Sequence, residues 1–335
     1  MKAVHLQKFG KPEKAFALVD IDKPKCPKEG VLVKVEGFGL NFADIMARTG
    51  LYPDCPPLPA VLGYDVVGIV EEVGQGVKHF KVGQRVTALT RFGGYAEYAV
   101  CDPRAIAVVD DMPIGKAMAL TTQYSTAWQC FYNSFRIGHG DKVLIHAAMG
   151  GVGSALAQMA LHEGAEVYAT AGSDEKIQAL KRLGVHHAIN YRKEDFFEVI
   201  KKKGVRLDVV FDSIGGSSVK KGCKLLGAGG SMVLYGAAQF NGSNLFKKIS
   251  TFLQFGFYHP INFMSKSQSM IGVNMLRLAD YKAEKIQACL KGVVKGVQEG
   301  WLDPLVGGVY PIEDLAKAHN DLGQRKTTGK LTVTW

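Results

Sequence analysis

A buried strand that runs directly into a glycine-rich turn and a helix is the feature that most restricts how this chain can fold. Lys142–Ala147 (KVLIHA) is a continuous apolar run, which is typical of a strand covered on both faces of a parallel sheet. The turn Ala147–Gly153 (AAMGGVG) follows, and Val152–His162 carries apolar side chains at helical spacing. Such a turn lets the backbone approach a pyrophosphate, and the helix N-terminus supplies N–H groups. Although the turn departs from strict G-x-G-x-x-G, its context predicts a dinucleotide site. The residues of this predicted site are Gly150, Gly151, Val152 and Gly153.

Strand and helix patterns alternate regularly after the turn. The predicted strands are Glu166–Thr170, Ala188–Asn190, Leu207–Asp212, Ser231–Tyr235 and Ser269–Asn274. The predicted helices between them are Asp174–Leu183, Phe196–Lys203 and Val219–Leu226. Strands that are separated by helices indicate βαβ units, and hence an α/β fold with a doubly wound parallel sheet.

The first third of the chain has a different texture. It is rich in Val, Gly and Pro, with short apolar runs such as Gly30–Leu40 and Val66–Val73 that are separated by turn signals. This texture predicts a small, irregular β-barrel. We expect residues 1–122 to form this domain, completed by residues 276–335, whose last strand is Lys330–Thr334. Residues 123–275 are expected to form the nucleotide-binding domain.

Charge and cysteine content restrict the partners and the compartment. The 335-residue chain has a net charge of +10, which suits an anionic partner such as a phosphorylated cofactor, a nucleic acid or an acidic membrane. Its six cysteines are at least 29 residues apart, which excludes a zinc ribbon or a compact disulfide framework and favours the reducing cytoplasm. No stretch of 18 residues is uniformly apolar, and the N-terminus lacks a signal-peptide core, so we expect no membrane span.

The end of the second predicted strand favours one dinucleotide over the other. An NAD site usually places Asp or Glu there, about 20 residues past the turn, to bind the ribose hydroxyls. Here Thr170–Ser173 (TAGS) stands in that place without a carboxylate, and Lys176 follows within one helical turn. A hydroxyl, helix N–H groups and a lysine suit a 2′-phosphate, which predicts NADPH. In the alternative interpretation Ser173 is a plain N-cap and Lys176 lies on a solvated helix face.

Several motifs together resemble those of the medium-chain dehydrogenases/reductases. They are Asn41–Tyr52 (NFADIMARTGLY), GYDVVGIVEEVG at residues 63–74, Val82–Val86 (VGQRV), AAMGGVG and Ala188–Arg192 (AINYR). The resemblance covers nearly the whole chain and is to the zinc-free quinone oxidoreductase branch, in particular the vesicle amine transport protein homologues. It implies a Rossmann domain combined with a GroES-like β-barrel catalytic domain.

The departures from the zinc-dependent relatives concern the metal ligands. Those alcohol dehydrogenases use a Cys and a Gly-His-Glu element for catalytic zinc, and a four-Cys lobe for structural zinc. This chain has Asn41 in the region of the Cys, Gly63–Asp65 (GYD) in place of Gly-His-Glu, and no Cys cluster between Arg91 and Cys130. Because zinc needs three or four converging N, S or O ligands, we expect no metal site.

Without zinc, the resemblance implies hydride transfer from NADPH to a quinone or an α,β-unsaturated carbonyl compound. It implies that Asn41, Asp44 and Tyr52 lie near the nicotinamide end of the cleft, where an amide or a phenol can donate to a carbonyl that gains charge. Each also has a structural alternative. Asp44 suits an N-cap or a turn, Asn41 can simply hold its loop, and Tyr52 can be a packing aromatic.

The resemblance also implies further cofactor contacts and an assembly. Thr126 would face the nicotinamide, Tyr191 would lie near the 2′-phosphate, and Tyr235 and Gly236 would lie where a strand ends at the ligand-binding edge of the sheet. A surface aromatic is the alternative for Tyr191. Relatives pair the edge strands of two nucleotide-binding sheets, which predicts a homodimer through Ser269–Asn274.

A second hypothesis is that the chain is a nucleotide-binding adaptor or sensor associated with a membrane or RNA, because fold alone does not determine function. Its candidate surfaces are the basic clusters Lys201–Lys203, Lys220-Lys221 and Lys247-Lys248, and the aromatic stretch Thr251–Phe263. Exposed lysines are more often solvated helix faces, and the aromatic stretch lacks a basic amphipathic face. We therefore favour a small-molecule substrate and expect no nucleic-acid partner.

Overall fold

The computed structural model describes residues 1–240, 250 and 253–335, which divide into two compact units. The first unit comprises Met1–Ser125 and Met275–Trp335, and the second comprises Thr126–Asn274. The predicted basic cluster Lys247-Lys248 and the first two residues of the predicted aromatic stretch lie outside the described residues.

The described strands and helices are numbered here in chain order. The strands are β1 Lys2–Leu6, β2 Phe16–Asp20, β3 Val31–Leu40, β4 Ala60–Val61, β5 Asp65–Val73, β6 Arg85–Leu89, β7 Tyr98–Cys101, β8 Ile106–Val108, β9 Lys142–Ile145, β10 Glu166–Ala171, β11 His187–Asn190, β12 Leu207–Asp212, β13 Leu226–Leu234, β14 Ser269–Gly272, β15 Val306–Pro311 and β16 Lys330–Thr334. The helices are α1 Pro12–Ala15, α2 Phe42–Arg48, α3 Ile114–Ala119, α4 Ser125–Trp128, α5 Gly151–His162, α6 Asp174–Arg182, α7 Phe196–Lys202, α8 Ser217–Leu225, α9 Pro260–Met264, α10 Met275–Tyr281, α11 Ala283–Gln298 and α12 Leu315–Gly323. Short 3₁₀ turns occur at Pro103–Ala105, Ala238–Phe240 and Ile312–Asp314.

The first unit is built on a seven-stranded sheet with the order β15-β16-β3-β5-β6-β8, in which β7 also pairs with β3. A three-stranded sheet of β2, β1 and β4 accompanies it. The C-terminal strand β16 runs antiparallel to β3, with Leu331 opposite Leu40. The C-terminal strand therefore belongs to the same sheet as the strands of the N-terminal segment.

Valine-rich strands form the core of the first unit. β-branched side chains favour the pleated backbone because their restricted rotamers pack well across strands, and here Val33, Val66 and Val86 are fully buried. Phe38 and Tyr95 stack inside this core with ring centroids 4.2 Å apart. The result is a rigid support for the loops and the helix that follow β3 and β5.

The second unit contains a six-stranded sheet of order β11-β10-β9-β12-β13-β14, and all its strand pairs are parallel. The apolar strand β9 lies inside this sheet, and Val143, Leu144 and Ile145 have no exposed surface. Helices α5 to α8 alternate with the strands along the chain. The predicted doubly wound parallel sheet is confirmed, and β14 forms one edge of it.

One strand starts earlier than the sequence-based expectation, and one helical region contains irregular turns. Strand β13 begins at Leu226 instead of Ser231, because the glycine-containing segment before Ser231 continues the strand and Leu226 pairs with Leu207. The helical region after Met112 contains two π-helical turns, Leu120–Tyr124 and Gln129–Asn133, on either side of α4. Such turns recur at functional sites but have no simple sequence signature.

The helices that the structure describes include none long and apolar enough to span a bilayer.

Candidate functional site

The turn between β9 and α5 places backbone N–H groups where a phosphate can bind. Ala147 adopts φ 51°, and Gly150 caps the helix, whose first internal hydrogen bond runs from Ser154 N to Gly150 O at 2.8 Å. The N–H groups of Gly151, Val152 and Gly153 precede that bond and have no carbonyl partner within the helix. Together with the positive end of the helix dipole, they can hold a pyrophosphate.

Gly153 has a separate structural role in the same turn. A Cβ atom at this position would lie 2.4 Å from the carbonyl oxygen of Ala147 and 2.8 Å from the Cα of Ala148. Both neighbours are backbone atoms, so the helix and the preceding strand approach this closely only with glycine. Gly153 therefore sets how near the start of α5 lies to the end of β9.

The end of β10 has the composition that the sequence analysis predicted for a phosphate site. Strand β10 ends at Ala171, and Ser173 caps α6 by accepting a hydrogen bond from Lys176 N at 3.4 Å. The hydroxyl of Tyr191 lies over Gly172, since a Cβ atom there would be 2.5 Å from that oxygen. The Tyr191 side chain is 40% exposed. Ser173, Lys176 and Tyr191 are thus gathered at one end of the sheet.

Two basic residues, Lys176 and Arg192, follow the ends of β10 and β11. Lys176 is half-buried, and burial followed by the like charge of Arg192 lowers its pKa. Ala171 at the end of β10 pairs with Asn190 at the end of β11, so Lys176 and Arg192 lie on the segments that leave the same end of the sheet, where a doubly charged phosphate would relieve their repulsion. Arg192 was not among the predicted site residues. Its signal in the sequence was its position directly after Tyr191, a basic residue following an aromatic one at a strand end.

Two carboxylates, Asp174 and Glu175, lie in the first turn of α6, and Asp174 is held by partners outside the cluster. Asp174 Oδ2 accepts from Lys193 Nζ at 2.6 Å, and its Oδ1 accepts from Asn190 Nδ2 at 2.9 Å. These contacts lower the pKa of Asp174, with the Lys193 hydrogen bond as the largest cause. The negative charge of Asp174 is therefore compensated by Lys193, whereas Glu175 interacts with Ser173, which lowers the pKa of Glu175.

The remaining predicted cofactor residues lie at the carboxyl end of the sheet or on α4. Tyr235 follows β13 directly and donates its N–H to Asp212 O at 3.1 Å, and Gly236 comes next to Ser213. Thr126 is almost completely buried on α4, between the two π-helical turns. The sequence analysis did not identify His146, a buried side chain after β9 whose Nδ1 lies 3.0 Å from Thr170 Oγ1.

In the first unit, Asn41 and Asp44 shape the start of α2. Asn41 is the N-cap, and its backbone N–H donates to Asp44 Oδ2 at 2.8 Å. The Asp44 carboxyl is fully buried, and its Oδ1 has no hydrogen-bond partner among the described residues. Burial, the largest cause, raises the pKa of Asp44 to about 7, against the opposing effect of the Asn41 N–H. Asp44 therefore has no surface through which to touch a ligand and acts on α2 from inside.

The side chain of Asn41 belongs to a buried polar cluster. Its Nδ2 donates to Asp65 Oδ1 at 3.0 Å, and its Oδ1 accepts from Lys330 Nζ at 2.9 Å. Lys330 also donates to Asp65 Oδ2, and neither of these two charged side chains has any exposed surface. Asn41 itself is 7% exposed. Sequence reasoning did not identify Lys330, which lies 289 residues away from Asn41.

Aromatic residues gather around Tyr52. Its ring centroid lies 6.1 Å from that of Tyr64, which in turn lies 5.1 Å from that of Phe92. Tyr52 is half-buried, whereas Tyr64 is 4% exposed, and burial is the main cause that raises the pKa of both phenols. Both hydroxyls consequently hold their protons at neutral pH. The packing role and a donor role for Tyr52 are compatible with this arrangement.

Comparison with known proteins identifies the family. Residues 27–111 match the alcohol dehydrogenase GroES-like domain, and residues 151–289 match the family described as zinc-binding dehydrogenase. Rat quinone oxidoreductase is 32% identical over 328 residues, which cover 96% of this chain and 94% of the relative. The chain belongs to the quinone oxidoreductase branch of the medium-chain dehydrogenases/reductases.

Other members of this superfamily agree. The human synaptic vesicle membrane protein VAT-1 homolog is 34% identical over 319 residues, covering 92% of this chain and 80% of that protein. The crystal structure of Escherichia coli quinone oxidoreductase complexed with NADPH has a TM-score of 0.87 and 27% identity, and each chain is fully covered by the other. This similarity confirms the predicted fold class, a Rossmann sheet combined with a GroES-like domain.

One matched family model is described as zinc-binding, so the residues at the expected ligand positions are of interest. Where the resemblance would place zinc ligands, Asn41 and Asp65 already bind the Lys330 ammonium group. A second cation beside that ammonium would be repelled. In the described part of the chain, no three His, Cys, Asp or Glu side chains converge in a way that would hold a metal ion.

Proposed function

We propose that the protein is an NADPH-dependent reductase that transfers a hydride to quinones or α,β-unsaturated carbonyl compounds. The observation that carries this proposal is the group of residues after β10 and β11, where Ser173, Lys176, Tyr191 and Arg192 lie and where Thr170–Ser173 has no carboxylate in the position of the Asp or Glu of an NAD site. This composition favours the 2′-phosphate of NADPH over the bare ribose of NADH. The similarity to E. coli quinone oxidoreductase, whose crystal structure is a complex with NADPH, supports the same cofactor.

The residues present fit a dinucleotide. The first turn of α5 would bind the pyrophosphate, and the cluster after β10 would bind the adenosine 2′-phosphate. The reduced nicotinamide supplies the hydride. Thr126, Tyr235 and Gly236 are proposed to contact the cofactor toward its nicotinamide end.

On the acceptor side, the proposed work of the protein is hydrogen bonding and orientation. Asn41 and Tyr52 would donate to the carbonyl oxygen as it gains negative charge, which stabilises the transition state without a metal. Both groups remain neutral donors, because an amide does not titrate and burial raises the pKa of Tyr52. Asp44 would position this machinery through its hydrogen bond with the Asn41 backbone.

The test is an NADPH-oxidation screen with several quinones and α,β-unsaturated ketones, with NADH measured alongside. We expect turnover with NADPH, a clear preference over NADH, and no change after treatment with a strong chelator. Stoichiometric zinc in the purified protein would contradict the metal-free part of the proposal. Equal use of NADH would contradict the cofactor assignment.

An adaptor function is the second candidate, and one structural observation favours it. Four apolar side chains around α9 are largely exposed: Leu253, Phe257, Ile261 and Met264. Such a patch suits contact with an apolar partner or a lipid surface. A relative of this chain is named a synaptic vesicle membrane protein, which is consistent with contact at a lipid surface. Absence of NADPH oxidation with every acceptor, combined with sedimentation of the protein with lipid vesicles, would favour it over the reductase.

We further propose a cytoplasmic homodimer. None of the six cysteines, all of which the structure describes, forms a disulfide, which suits a reducing compartment. Among the described residues, β14 is an edge strand of the parallel sheet, and we propose that a second copy of the chain pairs with it. Exposed sheet edges generally need covering, and pairing with the same edge of a partner would do so.

A further inference from the structure

A buried ion pair, Asp65 and Lys330, holds the side-chain amide of Asn41. Lys330 Nζ donates to Asn41 Oδ1 at 2.9 Å and also to Asp65 Oδ2, while Asn41 Nδ2 donates to Asp65 Oδ1 at 3.0 Å. The three side chains therefore form a closed triangle of hydrogen bonds. Asp65 and Lys330 have no exposed surface, so solvent does not screen the two charges.

This triangle permits only one orientation of the Asn41 amide. If the amide were turned over, its NH₂ group would face the ammonium group and its oxygen would face the carboxylate, and both contacts would be repulsive. In the observed orientation Nδ2 uses one of its two hydrogens for Asp65. Among the described residues, no acceptor is assigned to the second hydrogen.

The charges also change the strength of that remaining donor. An ammonium group that donates to an amide oxygen draws electron density away from the nitrogen, which makes the N–H bonds better hydrogen-bond donors. We infer that Lys330 and Asp65 are positioning residues that fix the Asn41 amide and, through Lys330, strengthen its free N–H toward the acceptor carbonyl. This inference rests on the proposed reductase function, in which Asn41 faces that carbonyl.

The backbone leaves space for this arrangement. A Cβ atom at Gly39 would lie 2.4 Å from Lys330 Cε and 2.5 Å from Asp65 Oδ1. Gly39 lies on β3 and pairs with Thr332 of β16, so β3 passes directly beside the charged pair. Any larger residue at Gly39 would displace one of the two charged groups that hold the amide.

A merely structural ion pair is the competing explanation, and a double variant separates the two. Asp65→Leu combined with Lys330→Met replaces the pair with apolar side chains of similar size, an exchange that buried ion pairs often tolerate. We expect this variant to fold and to bind NADPH like the wild type. Its kcat with a quinone should fall about tenfold, close to the loss expected for Asn41→Ala, because an amide without its two partners is neither fixed nor polarised.

The decisive measurement is the effect of Asn41→Ala on kcat when Asp65 and Lys330 are present and when they are replaced. In the wild-type background, Asn41→Ala should lower kcat about tenfold, whereas in the double-variant background it should lower kcat less than about twofold. Full additivity of the two effects would overturn the inference. Val333→Ala is the matched control, because this buried residue lies on β16 but outside the triangle, and it should lower thermal stability without lowering kcat.

A measurement on the wild-type protein keeps the inference testable if the double variant does not fold. In ¹⁵N-labelled protein, the Asn41 side-chain amide signals are identified by their loss in Asn41→Ala. We expect two well-separated proton shifts and slow exchange with water. Averaged shifts with fast exchange would show a mobile amide and overturn the inference. If wild-type protein oxidises no NADPH, the proposed function fails instead, whatever the amide signals show.

Discussion

At the scale of single residues, Asp44 couples folding to pH. Its carboxyl is fully buried, and burial raises its pKa from an ordinary 3.8 to about 7. Between these two values the folded protein keeps a proton on Asp44 that the unfolded chain has released. The free energy of unfolding therefore decreases as pH rises through this range, and the contribution levels off above about pH 7.

Asp44→Asn should remove this pH dependence, because asparagine resembles the protonated acid and its oxygen can still accept the Asn41 N–H. We expect the variant and the wild type to have similar stability near pH 4. At pH 8.5 the variant should be more stable by about 2–4 kcal/mol. Urea unfolding at several pH values measures the difference. Asp20→Asn, which removes an exposed carboxylate, is the control, and an equal stability difference at all pH values would contradict the prediction.

Lys176 and Arg192 should determine the choice between the two dinucleotides. Lys176→Ala or Arg192→Ala should each weaken NADPH binding by about 10- to 100-fold, because a charge-assisted contact to phosphate contributes roughly 1.5–3 kcal/mol. NADH affinity should hardly change, since NADH lacks the 2′-phosphate. Fluorescence titration with both nucleotides measures this, with Lys181→Ala, an exposed lysine on the same helix, as the control. Parallel losses for NADH and NADPH would mean that these cations do not read the 2′-phosphate.

At the scale of elements, the junction of β9 and α5 depends on close backbone contact. Gly153→Ala would press a methyl group against the backbone of Ala147 and Ala148, at distances that real Cβ atoms do not reach. We expect a loss of about 1–3 kcal/mol in unfolding free energy, together with weaker NADPH binding, because the start of the helix must shift. Chemical denaturation and nucleotide titration measure the two effects.

Gly150→Ala provides the matched comparison in the same turn. Its new Cβ atom would have only the Ala147 carbonyl oxygen nearby, at 3.2 Å, and the backbone at Gly150 has negative φ. Its cost in stability should be clearly smaller than that of Gly153→Ala. Equal costs would show that the close contact of Gly153 with the backbone of Ala147 and Ala148 does not determine the effect.

At the scale of the whole molecule, the edge strand β14 of the parallel sheet predicts a homodimer. Light scattering should give about twice the chain mass of 36.3 kDa. Gly272→Lys tests the edge, because a Cβ atom at Gly272 meets no other atom within 4 Å and the added charge should disfavour strand pairing. We expect this variant to shift toward the monomer, and each chain should remain folded. A wild-type protein that is monomeric at micromolar concentration would contradict edge pairing.

Local chemistry made much of the nucleotide-binding unit predictable. Strand β12 has the predicted bounds Leu207–Asp212, and helix α5 begins one residue before the predicted Val152. The alternation of strands and helices, the glycine turn and the capping serine are all short-range patterns, since each depends on residues within a few positions of one another. For that reason the sequence predicted the parallel sheet and the phosphate turn.

Short-range sequence patterns were thus sufficient for the fold class, the phosphate-binding turn and the lack of a carboxylate directly after β10. Long-range contacts were needed to bring the segment of Arg192 to the end of β10, to enclose Asp44, and to bring Lys330 to Asn41 across 289 residues. The last of these depends on strand β16 pairing with β3, and a contact between distant segments has no periodic signature in either of them. Burial then changes the chemistry of the groups that it encloses, because a carboxyl or an ammonium group behaves according to its surroundings and not its type.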